Sequence, residues 1–246
     1  MSRIELLAVE GLPEISSGDD LAAMITAAAG QPLASDDLLV VAHKIVSKAE
    51  GSVVELTAVE PSPRAIEIAG RQGRDPRQVE VILSQSAEII RDSGELLICR
   101  THHGLICANA GVDGSNSGAA GRLVLLPRDP DASARALRAA LPGHPAVLIT
   151  DSFGRAWRLG QLDVAIGLAG MAPLDDWRGR EDSEGRPLSA TLIAVADQAA
   201  AAADLVRTKD GACPAVIVRG LGRLISEDDG PGAKALLRPP QEDRFL

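Results

Sequence analysis

Tyrosine is absent from this 246-residue chain, and phenylalanine and tryptophan occur twice each. Aromatics at 2% leave no stacking platform for single-stranded nucleic acid. Positive charge is thin too: 25 Lys and Arg stand against 34 Asp and Glu, and the formal net charge is −9. With no run of lysine or arginine, the footprint of a nucleic-acid binder is missing, so any nucleotide bound here should be a small one. The three cysteines, Cys99, Cys107 and Cys213, are odd in number and form no CxxC. They read as buried thiols of a reducing compartment rather than as a disulfide or zinc set. Residues 188–206 are the most membrane-like stretch, but Asp197, Gln198 and Asp204 interrupt it. The N-terminus carries acidic residues too early for a signal peptide, and a cytoplasmic protein is expected. GxxxxGK[ST], GxGxxG after a strand, GxSxG and HExxH are also missing, which removes the usual support for a phosphate loop, dinucleotide fold, serine hydrolase or zincin.

What remains is a chain long enough to bury roughly 75% of its unfolded surface without staples. Apolar runs at residues 3–9, 38–42, 96–100, 104–108, 123–126, 146–149 and 215–220 read as strands. Residues 20–29, 62–73, 75–91, 129–141 and 189–206 read as helices, with Pro76 near the start of the third and Asp129 or Asp131 capping the fourth. Residues 155–170 are rich in glycine and show no strong period, residues 175–186 are crowded with charges of both signs, and a polar tail with short helical content follows from about residue 227. No repeat, linker or composition break divides the chain, so one domain over 1–246, possibly of two intimate subdomains, is expected.

Two strand ends carry the chemistry. Residues 105–118, LICANAGVDGSNSG, pass from a buried strand into small and polar residues around Asp113. Such residues let the backbone approach another object closely. Residues 146–149 end on Thr150, Asp151, Ser152, Phe153, Gly154 and Arg155, again a carboxylate, a hydroxyl and a glycine. Two strand ends offering oxygen ligands suit Mg²⁺ or Mn²⁺ beside a phosphate. The reading requires Asp113 and Asp151 to reach the same side of the molecule. Lys44 and Lys48, after the strand at 38–42, are either a solvated face or point charges for phosphate oxygens. Arg155 and Arg158 could clamp a phosphate or carboxylate. His102 and His103 lack a third ligand nearby, so a direct chemical role for them is the lesser reading.

Taken together and in order, residues 11–13, 43–51, 74–76, 108–116, 129–134, 150–155, 176–179 with 185–186, and 216–221 resemble the coenzyme F420-0:L-glutamate ligase family. The resemblance covers nearly the whole chain. It implies an unusual α+β fold of mixed sheets with flanking helices, in an intertwined homodimer. It also implies a GTP-dependent enzyme using Mg²⁺ or Mn²⁺, two ions, with K⁺ stimulating. Such an enzyme phosphorylates the terminal carboxylate of the deazaflavin precursor F420-0 and lets the amine of L-glutamate attack the acyl phosphate, adding one or more γ-linked glutamates.

Carried over by position, Asp113, Asp151 and Ser152 resemble the metal ligands. Leu12, Pro13, Glu14, Ile15, His43, Lys44, Lys48 and Asn116 resemble the GTP contacts, with Lys48 as phosphate partner. Lys48, Asp113 and Asp151 are the expected catalytic set. His43 and Lys44 vary in the family, and residues 206–213, VRTKDGAC, lack the Glu or Gln that often completes the site there. Some members carry a further flavin-binding domain, and the reading leaves open whether this chain is a stand-alone ligase or the front of a longer enzyme. The residues alone also admit a divalent-metal phosphoesterase or a non-catalytic nucleotide-binding protein.

Overall fold

The computed structural model describes residues 3–115, 117–207 and 211–243. Strand β1 (Glu5–Val9) leads through residues 10–20 into α1 (Leu21–Ala28), whose N-cap Asp20 accepts a hydrogen bond from Ala23 N. Strand β2 (Leu38–Ala42) runs without a break into α2 (His43–Ala49), so the polar nonapeptide at 43–51 begins as a helix rather than as a strand end. After β3 (Val53–Glu55), α3 (Pro63–Gln72) is capped by Ser62 and stopped by Gly73 at φ 64°. Helix α4 (Pro76–Ser84) starts at its proline but ends well before residue 91, where the sequence placed its end. The second half of that run is β4 (Ser86–Asp92), because Ile89 and Ile90 are β-branched and find a partner strand in β5 (Leu97–Thr101).

Then come β6 (Ile106–Ala108), β7 (Arg122–Val124) and α5 (Pro130–Ala140), whose N-cap is Asp129. Strand β8 (Ala146–Arg155) continues six residues past the expected end and turns back as β9 (Arg158–Ala169). The glycine-rich stretch is therefore half of a long hairpin. The chain finishes with β10 (Asp175–Asp176), β11 (Leu192–Ile193), α6 (Val195–Asp204) and β12 (Ala215–Arg219). The segment from 227 forms short 3-10 turns at Ala233–Leu236 and Pro240–Glu242, and Ala233 is buried.

Among the described residues the architecture is mixed α+β, with six α-helices and several sheets. A five-stranded sheet has the order β1-β12-β2-β8-β9, in which only β2 and β8 run parallel. Its central strands carry unbroken apolar runs, Leu38–Ala42 on β2, residues 146–149 on β8 and residues 215–218 on β12, because both faces are covered there. Leu39, Val41, Val147 and Ile149 pack toward α1 and α5, while Leu38, Val40 and Leu148 pack toward α6. On α6 the alanines at 196, 199, 200 and 203 lie in this second core. The small-residue face of α6 is thus consumed within the chain. A three-stranded sheet, β4-β5-β6, carries α3 and α4 over its own core of Ile68, Val79, Ile82 and Leu97.

Candidate functional site

The register of the large sheet sets Ala42, at the end of β2, beside Thr150 of β8. From that point β2 becomes α2 while β8 continues, and a cavity of about 360 Å³ opens between them. Leu12, Pro13, Glu14 and Ile15 form one wall, following the turn at Gly11. The side chains of His43, Lys44 and Lys48 reach it from α2, and Asp151 and Ser152 from β8. Lys48 is nearly buried, and its ammonium donates to Glu14 Oε1 at 2.5 Å.

Asp113 does not line this cavity, but it is tied to its rim. Lys44 Nζ lies 2.7 Å from Asp113 Oδ2 and donates to Ser115 Oγ at 2.7 Å. Burial pushes the Asp113 carboxyl up, yet the hydrogen bonds from Lys44 and Ser115 outweigh it and hold the group below the usual carboxylate range. The backbone delivers Asp113 through Asn109, Ala110 and Gly111, all in the left-handed region at φ 51°, 54° and 72°. For a buried alanine that conformation costs roughly 1–2 kcal/mol. Asn109 Oδ1 holds the turn by accepting from Arg74 Nη1 at 2.9 Å and from Leu97 N at 3.3 Å. Asn116, expected among the nucleotide contacts, lies outside the described residues.

Asp151, on β8, meets His43, the residue of α2 that precedes Lys44. Its Oδ1 accepts from Ser152 N at 2.8 Å and lies 3.3 Å from His43 Nε2. That imidazole is 1% exposed, and the approach is too poorly aligned for a hydrogen bond, so Nε2 is a buried polar atom without one among the described residues. The thiol of Cys107 on β6 is pushed up to about 12 by burial and then by the Asp151 charge, which places the edge of the small sheet next to this carboxylate. His43 and Lys44, consecutive in sequence, therefore touch Asp151 and Asp113 respectively. The two carboxylates do reach one side of the molecule.

Beyond the expected site residues the cavity is lined by Ala42, Ile45, Ala212 and Pro214 and by the polar side chains of Thr150, Asp163, Asp204, Arg207 and Cys213. Asp163 on β9 faces Ser152 across the hairpin and accepts from Thr150 Oγ1 and Ser152 Oγ, each at 2.7 Å. Arg207 Nη2 lies 3.0 Å from the same carboxylate, with both side chains buried. The missed signal is a period of two, Leu162, Val164, Ile166 and Leu168 alternating with residue 163 and its small successors. Arg155 and Arg158 do not line the cavity. They sit at the hairpin tip, where Arg155 Nη2 donates to Leu159 O at 2.5 Å. His102 and His103 line a separate hollow and bond to backbone carbonyls of Ser84, Pro127 and Arg128.

The oxygen donors at the cavity suit a hard divalent cation. Mg²⁺ binds through one or two carboxylates and takes its other oxygens from water and substrate phosphate. Among the described residues no three His, Cys, Asp or Glu side chains converge so as to hold a metal ion. Lys48 adds a point charge, and residues 12–15 add a partly apolar wall.

The description of one protein family, F420-0:Gamma-glutamyl ligase, matches residues 11–220. The chain is 46% identical over 250 residues to the coenzyme F420:L-glutamate ligase of Methanothermobacter thermautotrophicus, covering 98% of each chain. It is 43% identical over 254 residues to the same-named protein of Methanopyrus kandleri, covering both completely. With that of Haloarcula marismortui it shares 41% over 251 residues, 98% of this chain and 95% of the other.

Proposed function

The chain belongs to the F420-0:gamma-glutamyl ligase family and is a ligase, and on that premise we propose that it joins L-glutamate to the deazaflavin precursor F420-0 at the expense of GTP. A carboxylate is a poor acylating agent until one oxygen becomes a phosphate. In the proposed sequence the terminal carboxylate of the precursor attacks the γ-phosphorus of GTP and GDP leaves. The glutamate amine then attacks the acyl carbon, inorganic phosphate leaves, and the amide forms with loss of the amine proton. The observation that carries the reading is the meeting of Lys48, Asp151 and Ser152 on one cavity, with Asp113 at its rim.

In this reading Lys48 exchanges Glu14 for a phosphate oxygen, and residues 12–15 hold the nucleotide. Asp151, Ser152 and Asp113 would hold two Mg²⁺ or Mn²⁺ ions. Bound there, the metal neutralises charge that would keep carboxylate and triphosphate apart. Lys44 meanwhile keeps Asp113 ionised and aimed at the rim. Potassium stimulation and a cytoplasmic location belong to the same proposal. Among the described residues no helix is long and apolar enough to cross a membrane. An intertwined homodimer in the family's own fold is supported by the hairpin tip, where Trp157 and Leu159 are 79% and 96% exposed.

Mass spectrometry of the product, with GTP, Mn²⁺, F420-0 and glutamate supplied, tests the proposal. The expected product carries one or more additional glutamates, with GDP and phosphate released only when both acceptor and amino acid are present. Steady phosphate release without acceptor would instead make the protein a phosphoesterase.

A further inference from the structure

Asp163 is a buried carboxylate, 4% exposed, to which neither the family resemblance nor the proposed steps give work. It reaches the edge of the same cavity from β9, paired with Ser152 in the β8–β9 register. Its Oδ1 accepts the Ser152 hydroxyl at 2.7 Å; its Oδ2 accepts the Thr150 hydroxyl at 2.7 Å and lies 3.0 Å from Arg207 Nη2. A hydroxyl has one hydrogen to donate. Thr150 has a second acceptor in Val41 O, but at 3.5 Å that contact is marginal beside the carboxylate. Arg207 Nη2 also donates to Thr150 Oγ1 at 3.2 Å, which fixes the same orientation from the other side.

We propose that Asp163 is a positioning residue that takes up the Thr150 and Ser152 hydroxyl hydrogens, so that the Ser152 oxygen can only accept toward the cavity. An oxygen so oriented suits a cation, whereas one whose hydrogen points into the cavity repels it. Asp163 is poorly placed to be a ligand itself, because a cation approaching its Oδ2 would meet the Arg207 guanidinium. A partner behind the ligand that fixes its orientation is a general feature of metal sites, and its loss typically costs about 10- to 100-fold in metal affinity. This inference rests on the assignment of Ser152 and Asp151 as metal ligands.

The test is Mn²⁺ affinity without nucleotide, read from the electron paramagnetic resonance signal of free Mn²⁺, for D151N, S152A, D163N and the S152A/D163N double variant. Each single variant should bind about tenfold more weakly or worse, and the double variant no more weakly than the weaker-binding of its two parents, because Asp163 acts through Ser152. Losses that multiply in the double variant would make Asp163 merely structural and overturn the inference. So would an effect of D151N and S152A with none of D163N, or an effect of D151N with none of S152A. If neither D151N nor S152A changes Mn²⁺ binding, the ligand assignment itself fails and takes this inference with it. D163N leaves the Arg207 charge buried and uncompensated, which can prevent folding. In that event D163N is compared in the R207Q background with R207Q alone, and the same loss is expected.

Discussion

Lys48 and Glu14 face one another at the edge of the cavity, with Nζ 2.5 Å from Oε1, the lysine nearly buried and the glutamate mostly exposed. The pair holds the ammonium in place while leaving its partner free to swing into solvent. A triphosphate would replace a solvent-exposed carboxylate there and would not have to break a fully buried ion pair.

Lys48→Ala should therefore raise KM for GTP about 10- to 100-fold, the value of one charge-assisted hydrogen bond. Thermal stability should change little. Steady-state kinetics at saturating precursor and glutamate check this, and unchanged GTP dependence would remove the lysine from the mechanism.

Asp151→Asn and Asp113→Asn should each lower metal-dependent GDP formation by about 100-fold or more, since a bound cation contributes several kcal/mol of charge stabilisation in such transfers. A protein that only binds nucleotide would show no turnover to lose. Its GTP affinity, measured by calorimetry, would be the sole readout.

Cys213 lines the cavity, whereas Cys99 and Cys107 are buried in the small sheet and Cys107 is held as a thiol. The expectation of three buried thiols thus holds for two of them. Iodoacetamide should label Cys213 alone in the native protein, and GTP should slow the labelling. Labelling that ignores GTP would place the nucleotide elsewhere.

On α6, burial pushes the Asp197 carboxyl above its ordinary range against the single hydrogen bond from Ala165 N. A raised carboxyl binds its proton more tightly in the folded state, so stability falls as pH rises from about 4, the unfolded value, through the folded one. Asp197→Asn keeps an oxygen for Ala165 N and removes the charge. Its melting temperature should exceed that of the parent at pH 7 and match it near pH 3.5.

Gly167 on β9 faces the start of α5, and a Cβ there would lie 2.3 Å from Pro130 O. Backbone cannot yield as a side chain tip can. Gly167→Ala should destabilise by about 1–3 kcal/mol in urea unfolding, the usual range for overpacking.

The parts of the fold most legible in the sequence are those with a strong local signal. The β2 and β12 runs, the helix over 62–73 and the Asp129 cap, one of the two expected, all lie where their chemistry placed them. The α4–β4 boundary was hidden because Ile89 and Ile90 suit either period, and only pairing with β5 decides. Strand β9 was hidden because glycine and alanine carry little hydrophobic signal, although Asp163 sits within it. At the site, residues 12–15, His43, Lys44, Lys48, Asp151 and Ser152 do gather on one cavity. The role of Lys44 as the partner of Asp113 depends on the left-handed turn at 109–111, a conformation that Asn and Gly permit but do not announce.

The two acidic groups approach from different elements, Asp151 from β8 and Asp113 from the segment after the turn at 109–111, yet the spacing between their contacts is set within one seven-residue helix. Successive helical residues are offset by about 100°. A single residue inserted between His43 and Lys44 would swing every following side chain out of phase, so that an ammonium meant for one acid would face the core or the solvent. Surrounding loops can lengthen or shorten over evolution at small cost, whereas this short helix can tolerate no change in length before Lys48.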